Sequence, residues 1–249
     1  MRPLDQPQDL QAYYRDPQVV GSYLDRRTAQ PFNGFLHASQ VAFINSALRE
    51  RHPNRVLEIA PGPARLTADI DPVPLVAIDA SAEMLALARR RLRARYRPCS
   101  LLQGDAFRLP FPSRSFDFVF TLKLIRHFQI EDRMRLYAEI QRVLGPGGAL
   151  VMDGQNRAVS LPHRQAKGVD RYRIYDVLYD APELVHELES AGFTVCRMGG
   201  IARHFGMQRQ LNRLHRVGMG RVARRLIRLA EQLPGGNPST WMVLAEVPV

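Results

Sequence analysis

From Arg55 onward, short apolar runs alternate with amphipathic stretches, and no other feature of the sequence constrains the fold as tightly. The runs fall at residues 56–60, 75–79, 100–102, 116–121, 149–153, 193–198 and 241–246. Runs of strand length separated by helix-length segments mark βαβ units and hence a parallel sheet. Residues 82–95 set Met84, Leu85, Ala88 and Leu92 on one side of a helix, and residues 131–144 do the same with Leu136, Ile140, Val143 and Leu144. Gly145-Pro-Gly-Gly148 stops that second helix and turns into the next strand. Asp180-Ala-Pro-Glu183 reads as a capping box opening a helix with Leu184, Leu188 and Ala191 inward, ended by Gly192. Residues 1–52 are polar with helical spacing, as at Phe35, Val41, Phe43, Ile44 and Leu48. The expected architecture is α/β, a doubly wound seven-stranded sheet. Such a sheet takes its ligands at the carboxyl ends of the strands.

Composition narrows the classes further. With 249 residues, 45% hydrophobic and 24% charged, the chain can bury a real core, which excludes a disordered or collagen-like protein. The net charge of +11 would suggest an anionic partner such as nucleic acid or lipid headgroups. Only Lys123 and Lys167 are lysines among 35 basic residues, however, and such lopsided use of arginine often reflects base composition, so nucleic acid is the less favoured partner. No apolar run approaches bilayer-spanning length, and the residues after Met1 lack the apolar core of a signal peptide, so the expected location is cytoplasmic. Cys99 and Cys196 have no metal-ligand spacing and read as free thiols.

The first strand runs into Val56-Leu-Glu-Ile-Ala-Pro-Gly-Pro-Ala-Arg-Leu-Thr67, a turn of small residues that lets backbone N–H groups approach a ligand before a following helix. The second strand ends in Asp79, 17 residues after Gly62, where a carboxylate can accept both hydroxyls of a ribose. The third runs into Gly104-Asp105-Ala106, whose carboxylate could accept an adenine amine. A nicotinamide dinucleotide would require GxGxxG, and Gly62-Pro-Ala-Arg-Leu-Thr67 lacks two of those three glycines. Glu58, within the first strand, suits a ligand with a cationic amine. Amine, ribose and adenine together describe S-adenosylmethionine.

On these residues the sequence resembles the class I S-adenosylmethionine-dependent methyltransferases, of the broad subgroup that includes ubiquinone and menaquinone biosynthesis enzymes. The resemblance covers residues 53–153 well and 180–194 more loosely. It implies a Rossmann-like domain over 53–249, with an N-terminal helical lid at 1–52, a substrate loop at 154–180 and a helical insertion at 202–238 before the last strand. The family's first motif, an acid followed by glycines two, four and six residues on, falls on Glu58, Ala60, Gly62 and Ala64. The two alanines depart from it, and alanine disfavours positive φ. The resemblance implies cofactor contacts at Glu58, Ala60, Gly62, Asp79, Ala80, Met84, Asp105, Ala106 and Leu122.

For the acceptor, His127 lies just beyond the fourth strand and reads either as a general base or as a packing residue. No Asn-Pro-Pro-Tyr-like tetrapeptide follows that strand, which disfavours amino-group methylation on nucleobases. Asp153 follows the fifth strand with no acid after the fourth, so no metal is expected. Tyr14, Tyr23 and Tyr175 are candidate substrate contacts. Within residues 211–233, Val222, Leu226, Leu229, Ala230 and Leu233 form a stripe opposite Arg221, Arg224, Arg225 and Arg228. That pattern fits a helix packing on the domain by its apolar side, a membrane-surface helix, or an RNA contact. The activity expected is metal-independent methyl transfer to a small-molecule acceptor: a quinone precursor, lipid or secondary metabolite. RNA methylation and a non-catalytic S-adenosylmethionine-binding domain are the alternatives.

Overall fold

The computed structural model describes residues 7–16, 30–95, 99–168, 172 and 174–249. Helices α1 (Pro7–Arg15) and α2 (Pro31–Arg51) precede strands β1 (Val56–Ile59) and β2 (Leu75–Asp79). Then follow α3 (Ala82–Ala94), β3 (Ser100–Gln103), β4 (Phe116–Thr121), a 3-10 turn (Ile125–His127), α4 (Ile130–Val143) and β5 (Leu144–Asn156). The remainder is α5 (Arg157–Lys167), β6 (Leu178–Tyr179), α6 (Ala181–Ser190), β7 (Thr194–Ile201), α7 (Phe205–Leu211), a 3-10 helix (Asn212–Val217), α8 (Gly220–Glu231) and β8 (Thr240–Glu246).

The sheet has the order β3-β2-β1-β4-β5-β8-β7, with β8 antiparallel to both its neighbours and the other pairs on that path parallel. The order reverses direction at β1, so the crevice between the β1 and β4 ends is the topological switch point where ligands sit in open α/β sheets. An eighth strand, the two-residue β6, pairs with the end of β5. It is too short to show in the apolar pattern.

Local chemistry accounts for the element boundaries. Ser81 caps α3 by accepting a hydrogen bond from the Met84 N–H, and the Asp180–Glu183 capping box opens α6 as the spacing predicts. All four residues of β1 are buried, as a central parallel strand covered on both faces requires. One face packs Leu136, Tyr137 and Ile140 of α4 against Leu57, Ile59 and Val119. The other packs Phe32, Phe35, Ile44 and Leu48 of α2 with Ile227 of α8 against Val56, Phe118 and Phe120.

Two sequence expectations are corrected. No helix follows β1: residues 61–70 form successive turns, because Ala60, Gly62 and Ala64 take φ of 56°, 56° and 53° and break the right-handed path between prolines 61 and 63. The face left bare is filled by α2 and α8. In α8 the buried side chains are Ala223, Ile227 and Ala230, whereas Val222 and Leu229, with Leu233 just beyond the helix, are exposed. Ala230 alone of the predicted stripe is fully buried; Ile227, outside that stripe, is the large side chain of α8 that enters the core shared with α2.

A buried ionic cluster joins α4, α6 and β6. Arg133 donates to both carboxylate oxygens of Glu187 (2.9 and 2.6 Å) and to the Phe128 carbonyl (2.7 Å), while the Tyr137 and Tyr179 hydroxyls donate to Glu187 Oε1. Removing one member of such a pair strands the other charge without water. Glu187→Ala is therefore expected to destabilise the protein by about 3–5 kcal/mol, and Glu187→Gln by less, as read by denaturant unfolding. A loss below 1 kcal/mol for the alanine variant would show that the cluster is solvated.

Candidate functional site

The carboxyl ends of β1, β2, β3 and β4 open into one cleft of about 930 Å³, its open mouth included. Ala60 and Gly62 approach it from the β1 end, Asp79, Ala80 and Ser81 from β2, and Met84 from the first turn of α3. Asp105 and Ala106 come from the end of β3, and Leu122, Lys123 and His127 from beyond β4. Helix α1 closes one side with Leu10, Gln11 and Tyr14. It is held there by the Ser81 hydroxyl donating to the Tyr14 carbonyl at 3.0 Å.

Asp79 is pinned by two backbone donors. The Gly62 N–H donates to Oδ2 and the Ser81 N–H to Oδ1, each at 2.9 Å. Burial raises its pKa, with these hydrogen bonds opposing. A carboxylate has about four lone-pair sites, so two remain for a ligand. A Cβ at Gly104 would lie 2.6 Å from Ile78 Cδ1, so the end of that side chain would have to move to admit one. Asp105 is exposed; its Oδ1 accepts the Phe107 N–H at 3.0 Å and fixes the turn after β3.

Glu58 does not line the cleft. It is buried beneath the loop, accepts the Thr67 hydroxyl, and fastens the β1–β2 connection to its own strand. Tyr175 offers its backbone, not its ring, to the site: its carbonyl oxygen lies 2.9 Å from His127 Nδ1. Tyr23 lies outside the described residues.

Behind the β4 and β5 ends lies a charge cluster that sequence reasoning missed. His127 Nδ1 is also 2.7 Å from Asp176 Oδ1. Arg126 lies 3.3 Å from the same oxygen and 3.6 Å from Asp153, and Arg164 of α5 pairs with the other Asp176 oxygen at 2.5 Å. Burial pushes the Asp176 carboxyl up, but Arg126, His127 and Arg164 outweigh it and hold it well below the usual carboxylate range. Both neighbours of His127 Nδ1 are acceptors, so this nitrogen donates; in the neutral ring Nε2 is then the acceptor. Lys123 takes φ of 63°, with its N–H donating to Asp153 Oδ1 at 2.6 Å. A non-glycine residue held left-handed by a buried carboxylate points to a positioned side chain. Asp153 is thus engaged by Lys123 and Arg126, and among the described residues no three His, Cys, Asp or Glu side chains group as a metal site. Cys99 and Cys196 form no disulfide.

Burial of Glu58 pushes its pKa from 4.5 up to about 8, against the Thr67 hydrogen bond. A carboxyl raised in the folded state binds its proton more tightly there than when unfolded, so stability falls as pH climbs from 4.5 to about 8 and then levels. Glu58→Gln keeps an acceptor for Thr67 and removes the titration. Thermal unfolding should show the variant more stable by about 5 °C above pH 8 and close to wild type near pH 5; equal gains at both pH values would refute the buried neutral carboxyl.

Residues 56–148 match a family model described as a methyltransferase domain. A demethylmenaquinone methyltransferase of Thermus thermophilus is 36% identical over 107 residues, covering 41% of this chain and 48% of that protein. Its counterpart in Deinococcus radiodurans is 38% identical over 104 residues, covering 40% and 42%. The chain spans less than half the length of these relatives. Magnesium protoporphyrin IX methyltransferase from Synechocystis PCC 6803, solved with bound S-adenosylhomocysteine, shares the fold with a TM-score of 0.66 at 12% identity, over 97% of this chain and 100% of that one. Among the described residues, no helix is long and apolar enough to cross a membrane. The strand ends that form the switch-point cleft thus lie within residues 56–148, the segment that matches a methyltransferase domain and is similar to S-adenosylmethionine-dependent methyltransferases.

Proposed function

We propose that the protein transfers the methyl group of S-adenosylmethionine, without a metal, to a small and largely apolar acceptor such as a quinone precursor. The convergence of Asp79, Asp105 and the Lys123–His127 segment on one cleft carries this reading. The remaining lone pairs of Asp79 receive the ribose hydroxyls, Ala80, Met84 and Ala106 enclose the adenine, and Asp105 meets its amine. Leu122 borders the reacting end, and Gly62 with Ala60 admits the chain between nucleoside and tail. Glu58 supports the amino-acid end from beneath the loop. The bound cofactor supplies an electrophilic methyl carbon on a sulfonium.

At the other end, Tyr14, Leu10, Phe128 and Phe107 give the acceptor apolar walls that exclude water. In-line methyl transfer depends chiefly on alignment and desolvation. For a hydroxyl acceptor, His127 Nε2 takes the proton while Nδ1 is held by the Tyr175 carbonyl and Asp176. The Lys123 ammonium stabilises the anionic oxygen. The demethylmenaquinone methyltransferase identity of the relatives supports a quinone-like acceptor.

Calorimetric titration with S-adenosylmethionine should give binding that Asp79→Ala weakens at least about tenfold. Incubation with methyl-labelled cofactor and a lipid extract should place label in a lipid-soluble product. His127→Ala should slow an O-transfer about 100-fold with cofactor affinity unchanged. Absence of cofactor binding would refute the reading, and label in RNA instead of lipid would reassign the acceptor.

A further inference from the structure

Helix α8 has three faces. Ala223, Ile227 and Ala230 pack inward. Arg221, Arg224, Arg225 and Arg228 occupy another sector, lining one shallow depression with Leu229. Between them Val222 and Leu229, at i and i+7, point to solvent with 43% and 49% of their surface exposed, and Leu233, just past the helix end, is 45% exposed. Val217 and Met219, just before the helix, are also exposed.

We infer that this outward stripe of α8 docks on an anionic lipid bilayer, its aliphatic side chains entering the headgroup boundary and its arginines meeting lipid phosphates. Charge selects this occupant. Residues 191–230 hold nine arginines and no acidic residue. Glu231, the next acid, is turned inward, accepting the Ala202 and Arg203 N–H groups and the Gln208 amide. Its hydrogen bonds therefore go to backbone and amide groups.

A second copy of the chain would set arginine against arginine across a two-fold axis. Single-stranded nucleic acid would call for aromatic stacking groups, and the exposed apolar side chains here are all aliphatic. A cationic flank beside an aliphatic stripe is the pattern of an interfacial helix. Its place in the fold fits this role. The insertion leaves the sheet at Ile201 and rejoins it at Thr240, which pair with each other, and Thr240 also pairs with Gln155 at the carboxyl end of β5. The docking segment therefore grows from the same sheet edge as the cleft. The inference does not depend on the proposed methyl transfer.

The test is flotation of the full chain with vesicles of phosphatidylcholine containing about 30% phosphatidylglycerol, and with phosphatidylcholine alone, at low and high salt. The protein should float with the anionic vesicles at low salt, and less so at high salt or on neutral vesicles. Val222→Ser combined with Leu229→Ser should lower the bound fraction about tenfold, and Arg225→Glu with Arg228→Glu at least as much. Both pairs lie on exposed positions and should keep the wild-type unfolding temperature and affinity for S-adenosylmethionine. Failure to float at low salt overturns the inference, as does flotation of the serine pair equal to wild type. A stripe-dependent dimer by gel filtration, or RNA binding lost in the serine pair, overturns it in favour of those partners. Cofactor titration is unaffected by any of these outcomes, so this inference and the methyl-transfer reading can fail separately.

Discussion

The Asp79 carboxylate holds the site together. It takes the Gly62 N–H on one oxygen and the Ser81 N–H on the other, and so ties the β1 loop to the end of β2 and the start of α3. Two segments that would otherwise diverge from neighbouring strands are thereby fixed at one separation. Ser81, held in this way, also caps α3 and bonds α1 through the Tyr14 carbonyl. One side chain thus sets the floor, one wall and part of the cover of the cleft.

The β1 loop obtains its shape at a local cost. A left-handed alanine is disfavoured by about 1–2 kcal/mol, and both Ala60 and Ala64 take that conformation. The strain is held by the surroundings. The Ala60 N–H donates to the Ile78 carbonyl at 2.8 Å, Ala64 packs with Ala68, Ala88 and Leu92, and Glu58 holds Thr67 from below. The same left-handed steps prevent a regular helix after β1, and this is why α2 and α8 cover that face of the sheet. The turned loop, the arrangement of the second core and the exposed stripe of α8 are linked consequences.

Charge is distributed unevenly through the molecule. Arg126, His127, Asp153, Arg164 and Asp176 form a mutually compensated group behind the reacting end of the cleft, where burial strengthens each interaction. The Arg133–Glu187 pair braces the adjacent Phe128 wall. The arginines of α8 stay in solvent, with Glu231 at the helix end the one acid in that helix and bonded to the Ala202 and Arg203 N–H groups. The first two groups position side chains, whereas the third presents uncompensated charge to the outside.

The parallel strands, the helix caps at Ser81 and Asp180, and the convergence of Ala60, Gly62, Asp79, Met84, Asp105 and His127 follow from the sequence alone. Their causes are local: apolar periodicity, capping chemistry and small residues at strand ends act over a few residues, and the topology of a parallel sheet then brings strand ends together. Only the tertiary structure decided the rest. Glu58 faces Thr67 and not the cleft because β1 is buried on both sides. Asp176 reaches His127 across about 50 residues of chain, a pairing with no signature in spacing. Which side of α8 faces inward was likewise decided by packing, since Ile227 enters the core shared with α2 while Val222 and Leu229 stay outside. Periodicity identifies an apolar face, but only packing determines whether that face is covered.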